Sequence, residues 1–204
     1  MRLPLASVTA AVLVGCASSP APTAAESAHE DNAVLARAFA EDQADDERAA
    51  FVYEDGSAMS LDDLRQRLPY MPPELADDVR RLVAVDSVLA AGGARTAGDF
   101  YHAAVVYQHG ADATSYRRAH DLARRAVELD PDHSDAKWLT AASWDRYLDE
   151  SDRPQWYGTQ YRCEDGLRRL LPVEEGRVTD EERRALGVPT LAEARAREGT
   201  ECGS

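Results

Sequence analysis

The sequence predicts a mainly α-helical single domain built of helical hairpins, with a long irregular loop and a small C-terminal β-hairpin. Three observations predict it. Between residues 96 and 148, three stretches of helical apolar period are separated by short joints, the pattern of antiparallel neighbours. After Leu148 that period stops, and the polar, aromatic run Arg153-Pro-Gln-Trp-Tyr-Gly-Thr-Gln-Tyr161 takes over. Then "YRCEDGLRRLL" sets Asp165-Gly166 between two short extended runs, a hairpin signal.

The elements follow in order. Residues 32–48 carry Val34, Leu35, Ala38 and Phe39 on one side and then a run of acids. Arg37 pairs with Glu41 at i+4, and Glu41, Asp42, Asp45 and Asp46 read as a solvated acidic face. Residues 51–59 form a loop around Asp55-Gly56. Ser60 opens a short helix with Asp63 in the capping position and Leu61, Leu64 and Leu68 as its buried stripe; Pro69 ends it. Pro73 suits a first helical position, and Leu75, Val79, Leu82, Val85 and Leu89 make a stripe closed by Gly92-Gly93. Thr96 caps the next helix, which reaches His109 before Gly110. The helix from Thr114 to Leu129 stops at Asp130-Pro131. Ser134 caps the third, with Trp138, Ala141, Ala142 and Trp144 inside it. Thr179 with Glu182, and Thr190 with Glu193, are capping boxes that open two short final helices.

Ahead of this body stands MRLPLASVTAAVLVGC, with Arg2 as its only charge before Cys16. The apolar run has the length of a signal-peptide core and is too short to span a membrane, which takes about 20 residues. Leu13-Val14-Gly15-Cys16 resembles the bacterial lipoprotein lipobox in all four positions. The resemblance implies lipid on the Cys16 sulfur, cleavage before it and a membrane tether, palmitate-type chains included. Two chains anchor firmly where one does not, at about 0.8 kcal/mol per buried methylene. Residues 1–15 are then a lipoprotein signal peptide, 16–30 a flexible Pro- and Ala-rich tether and 31–204 the helical domain. Ala17, with no aspartate beside the lipid, implies the periplasmic face of the outer membrane in a Gram-negative cell. The chain has 23 basic against 37 acidic residues, a net charge of −14. That balance excludes nucleic acid as a partner, since binding it requires a positive footprint. Cys163 and Cys202 remain as an even pair in an oxidising compartment, a candidate disulfide, although Cys202 stands near the chain end, where chains fray.

"AHDLARRAVELDPDHSDAKWL" resembles a tetratricopeptide repeat through Ala119, Ala126 and Pro131, and it covers about one and a half helices of a 34-residue unit. No second full copy follows. A wider likeness rests on Gln108-His109, Asp145-Arg146 and Pro154-Gln-Trp-Tyr-Gly-Thr-Gln160, with Glu41-Asp42-Gln43 near the start. These motifs resemble those of a bacterial family of uncharacterised helical proteins, many of them exported, from about residue 41 to the C-terminus. Asp46 departs from that pattern, where arginine is expected, and Arg48 follows two residues later. The resemblance implies a shared site and names no reaction.

The candidate pocket residues are therefore Glu41, Gln43, His102, Gln108, His109, Asp145, Arg146, Gln155, Tyr157, Thr159 and Gln160. His102 and His109 share a helix face, but seven residues put them about 10 Å apart along the axis, too far to chelate alone. No metal site and no cofactor motif is present in the pattern, and the cysteine spacing does not resemble a zinc site. His109 is either a general base or a helix-end residue bonding carbonyls. Asp145 and Arg146 either anchor the loop by a salt bridge or bind an anion. Tyr157 and Gln160 either line a pocket or satisfy the loop's own backbone. His120 and His133 read as surface and cap residues.

The hairpins are expected to bring the end of the helix over 96–109 to the start of the helix over 134–148. The loop must then run back about 20 Å along the last helix to meet Gln108 and His109. Three functions follow: a lipid-anchored envelope protein binding a peptide or small ligand, an envelope hydrolase or transferase using His109 as base, or a structural spacer clasped by the loop.

Overall fold

The computed structural model describes residues 30–44, 59–110 and 112–202. Cys16, the tether up to residue 29, Asp45, Asp46 and Arg48 lie outside the described residues. The described chain is mainly α-helical, with one small antiparallel hairpin. Its helices are α1 Ala33–Ala44, α2 Leu61–Arg67, α3 Pro73–Ala90, α4 Ala97–Gln108, α5 Ala113–Leu129, α6 Ser134–Glu150, α7 Asp180–Ala185 and α8 Leu191–Ala196. The strands are β1 Tyr161–Glu164 and β2 Leu167–Leu170. No helix among the described residues is long and apolar enough to cross a membrane.

The centre is an α4–α5–α6 stack, with α1 laid against α3 and α4. Small side chains let these helices approach closely: Ala103, Ala104, Ala119, Ala123, Ala126, Ala136, Ala141 and Ala142 are all fully buried. Leu35, Val85, Leu122 and Leu139 fill the space between them. Thr96 and Asp99 form a reciprocal capping box at the start of α4. Burial pushes the Asp99 carboxyl upward, but N–H groups of Arg95, Asn32 and Thr96 and the Thr96 side chain hold it below the usual carboxylate range. The Asn32 bond also fixes the start of α1 to the start of α4.

Several local expectations change. Of the α2 stripe only Leu64 is buried, and the helix passes into a 3-10 turn, Leu68–Tyr70, that contains Pro69 instead of stopping at it. His133, not Ser134, caps α6 by accepting the N–H of Ala136. Trp138 is 43 % exposed and lies outside the helix interface. His120 is not a surface residue: its ring is half-buried, bonds the carbonyl of Thr140 at 2.9 Å and packs on Trp144. The face of α5 toward α6 explains this, because position 120 adjoins the buried Ala119 and Ala123.

The end of α6 sets up the loop. Asp152 takes a positive φ of 53°, Asp152 N–H bonds Asp149 O and Arg153 N–H bonds Leu148 O. That is the Schellman pattern, with aspartate where glycine is commoner, and it turns the chain back along α6. Downstream, Asp165 and Gly166 (φ 52° and 76°) close the β1–β2 turn. The C-terminal segment then pairs beside β2 through a Leu167–Glu201 bridge. Cys202 is therefore held in place, and it forms a disulfide with Cys163 across a Cα–Cα distance of 6.0 Å.

Candidate functional site

Asp145 organises the loop. Its side chain is fully buried on α6 and accepts the N–H groups of Trp156 (2.8 Å), Tyr157 (3.0 Å) and Thr159 (3.0 Å) and the Thr159 hydroxyl (2.8 Å). Burial raises the carboxyl pKa, and these four donors pull against that rise. Gln155, 1 % exposed, does the same work from within the loop. Its Nε2 donates to the carbonyls of Gln160 and Leu171, and its Oε1 accepts from Gln160 N–H. Arg183 of α7 completes the set by donating to the carbonyls of Tyr157, Trp156 and Val178. Gly158 sits at φ 82°, which side-chain-bearing residues rarely adopt. Thus Asp145 anchors the loop through backbone donors, not through the expected salt bridge, and Gln155 is spent on the loop's own polar groups.

The other motifs converge beside this anchor. Arg146 Nη1 donates to the carbonyl of Gln108 at 3.0 Å, and its Nε donates to Gln160 Oε1 at 3.3 Å. Gln160 Nε2 donates to Thr159 Oγ1, whose hydroxyl reaches Asp145. One hydrogen-bonded chain therefore runs from Asp145 through Thr159, Gln160 and Arg146 to Gln108. The expected 20 Å return is not needed. Successive antiparallel helices make α4 and α6 parallel, so their C-terminal ends, not end and start, share an edge. The loop doubles back only from the last turns of α6, about 8 Å.

His109 follows Gln108 and caps the end of α4. Its Nδ1 lies 2.8 Å from Asp42 Oδ2, so it bonds no carbonyl through its ring nitrogens among the described residues. Asp42 is 5 % exposed, which overturns its place on a solvated acidic face. Its position explains the burial: Leu35, Ala38 and Asp42 fall on one face of α1, the face against α4. Gln43 donates to the same Asp42 oxygen at 2.9 Å, while Glu41 is exposed and pairs with Arg37 at 2.7 Å. Gln108 is buried, and its Oε1 has no hydrogen-bond donor among the described residues.

Two residues expected here stand elsewhere. His102 lies two turns before His109, with its ring stacked on Phe39 and burial holding its pKa below the ordinary imidazole value. Tyr157 gives its N–H to Asp145 and lines a groove with His120 and Arg124 of α5 and Trp144 of α6, a lining that includes neither Gln108 nor His109. Sequence reasoning missed Arg183 as part of the loop, and treated Asp42 as solvent-facing. The α1 spacing carried a signal for Asp42; nothing local marks Arg183. Among the described residues no group of three or more His, Cys, Asp or Glu side chains is placed to hold a metal ion.

The chain matches no family model, no curated protein and no solved structure.

Proposed function

We propose that the protein is a lipid-anchored component of the bacterial cell envelope that binds a small ligand or peptide at the edge shared by α1, α4, α6 and the signature loop. The anchor is lipid on Cys16, and the ligand is taken by the Asp42–His109 pair and the Gln108–Arg146–Gln160 chain. One observation carries this reading. Four short segments far apart in sequence are tied to one another around the C-terminal end of α4, and the Gln108 Oε1 there is buried without a donor among the described residues. Such an acceptor costs about 1–3 kcal/mol when left unmade, a cost a ligand N–H or O–H would remove. The spacer reading accounts for Asp145, Gln155 and Arg183, whose bonds hold the loop, and for the His109–Asp42 pair as a tie between α4 and α1, but it leaves the unmade Gln108 Oε1 acceptor without a role.

A second reading, an envelope hydrolase or transferase, is favoured by that pair. A carboxylate cannot donate, so it fixes the proton of a neutral His109 on Nδ1 and leaves Nε2 as a lone pair, the arrangement a general base requires.

The test is to purify the full-length protein from membranes, denature it and measure released small molecules by mass spectrometry. A stoichiometric compound that is absent from an Arg146→Gln preparation supports the binding reading. No released compound from either preparation, with both equally stable, counts against it.

A further inference from the structure

A cavity of about 360 Å³ lies between the start of α2, α3, the end of α4 and the first turns of α5. Its apolar wall is made by Met59, Leu61, Leu64 and Leu82, and its polar lining includes Ser115 and Arg118. We infer that this cavity is a binding site for a small amphiphile, whose apolar body lies on the leucines of α2 and α3 and whose single anionic head is held by Arg118 and Ser115 of α5.

The apolar wall is surface that the fold leaves without a protein neighbour. Leu61 and Leu64 are three residues apart and share one face of α2. Leu64 is 3 % exposed, whereas Leu61 is only half-buried and borders the cavity. Leu82 of α3 borders the same space and is also half-buried. An apolar ligand body placed there removes this surface from water, which is favourable in proportion to the area covered. The volume stands at the lower end of small-molecule sites, roughly 300–1,000 Å³, which suits one short chain.

The polar groups left without partners select the head. Ser115 is 9 % exposed, and its Oγ makes no hydrogen bond among the described residues. Arg118 stands three residues on, on the same face of α5, and has neither a hydrogen-bond nor an ion-pair partner among them. A guanidinium only donates and a serine hydroxyl can donate, so one acceptor group answers both. The two carboxylates of the lining are already engaged. Asp86 accepts from Arg65 through one oxygen and from the Tyr107 hydroxyl, at 2.8 Å, through the other. Asp112 caps α5 and accepts Ser115 N–H at 2.6 Å. Asp86 therefore faces a cation and Asp112 the positive end of a helix, and Arg118 is the charge that lacks a counterpart. An anionic head supplies it; a cationic head meets no free carboxylate.

This cavity is separate from the cluster proposed above as the ligand site. Tyr107 and Gly110 border it, but Gln108 and His109 do not, and His109 turns instead toward Asp42 of α1.

The experiment is isothermal titration calorimetry of the full chain carrying Cys16→Ser, chosen so that no detergent competes for the probe. The probes are octanoate, 1-octanol and octylammonium, three heads on one chain. Octanoate is expected to saturate in the millimolar range or tighter, with the alcohol at least about tenfold weaker and the ammonium weaker still. Arg118→Gln, an exposed change, should weaken octanoate by about tenfold and leave 1-octanol unchanged, which a general loss of structure would not do. Leu61→Trp, which fills the cavity from a half-buried position, should abolish binding of both. His109→Ala should change neither, so failure here and failure of the α4 cluster are read apart. No saturation by octanoate would leave the cavity to a protein segment, and equal binding of acid and alcohol would make it an apolar site alone; either overturns the inference. So would tighter binding of octylammonium, an unchanged acid-to-alcohol ratio in Arg118→Gln, retained binding in Leu61→Trp, or loss of octanoate binding in His109→Ala.

Discussion

His109 Nδ1 lies 2.8 Å from Asp42 Oδ2, joining the end of α4 to the buried face of α1 across 67 positions of sequence. Because a carboxylate only accepts, the neutral His109 ring is expected as the Nδ1–H tautomer. Nitrogen NMR of ring-labelled protein should show Nε2 unprotonated at mildly alkaline pH. Asp42→Asn, which has a donor as well as an acceptor, should redistribute the two tautomers. An Nε2–H ring in the native protein would contradict the pairing.

Asp145 is the residue on which the loop depends most. Asp145→Asn keeps the shape but cannot accept all four donors, so at least one buried N–H loses its partner. A loss of about 2–3 kcal/mol is expected by denaturant unfolding. Thr159→Val, which removes one hydroxyl from the same set, should cost about 1 kcal/mol. A loss below that in Asp145→Asn would mean the loop is held by something else.

How far the sequence revealed this depends on the range of each interaction. The helices, the Thr179 and Thr190 boxes and the Asp165-Gly166 turn were legible because their causes lie within four residues. The motif residues Gln108, Arg146 and Gln160 were legible as belonging together, but not the edge on which they meet. That edge follows from helix direction, and α4 and α6 run parallel. Arg183 was not legible at all: an arginine on a six-residue helix gains its role only when the carbonyls of Trp156 and Tyr157 arrive from 26 and 27 positions away. Asp42 was hidden among acids, although its spacing from Leu35 and Ala38 placed it on the buried face.

Stability should fall as pH drops below about 6.5. Burial holds His102 and His120 below the ordinary imidazole value, so the unfolded chain binds their protons first, and stability is lost between that value and the folded pKa. Asp145 and Glu150, raised chiefly by burial, act with the opposite sign: the folded state keeps their protons longer, and stability declines as pH climbs from about 4 through their folded values. His120→Gln should flatten the slope of denaturation midpoint against pH from about 7 to about 5. An identical slope in the variant would assign the effect to other groups.

The disulfide closes a separation of 39 residues, and its removal by Cys202→Ser should cost about 3–4 kcal/mol in the chain-entropy model. Thiol titration of the unreduced protein should find neither Cys163 nor Cys202 free. Two titratable thiols would contradict the bridge.

Membrane attachment is expected to rest on Cys16, the cysteine outside the described residues. Cys16→Ser should move the protein out of the detergent phase and abolish incorporation of an alkyne-labelled palmitate. A variant that still partitions with lipid and keeps its mass would remove the lipobox assignment.

The central claim is that the cluster around His109 binds a ligand and is more than a clasp. The measurement is native mass spectrometry of the full-length protein from its own membranes, paired with melting curves, for the wild type and His109→Ala. The expected result is a bound mass in the wild type that is lost in the variant, with melting shifted by no more than about 2 °C. An unchanged bound mass, or a large fall in melting temperature with no bound mass in either protein, would contradict it.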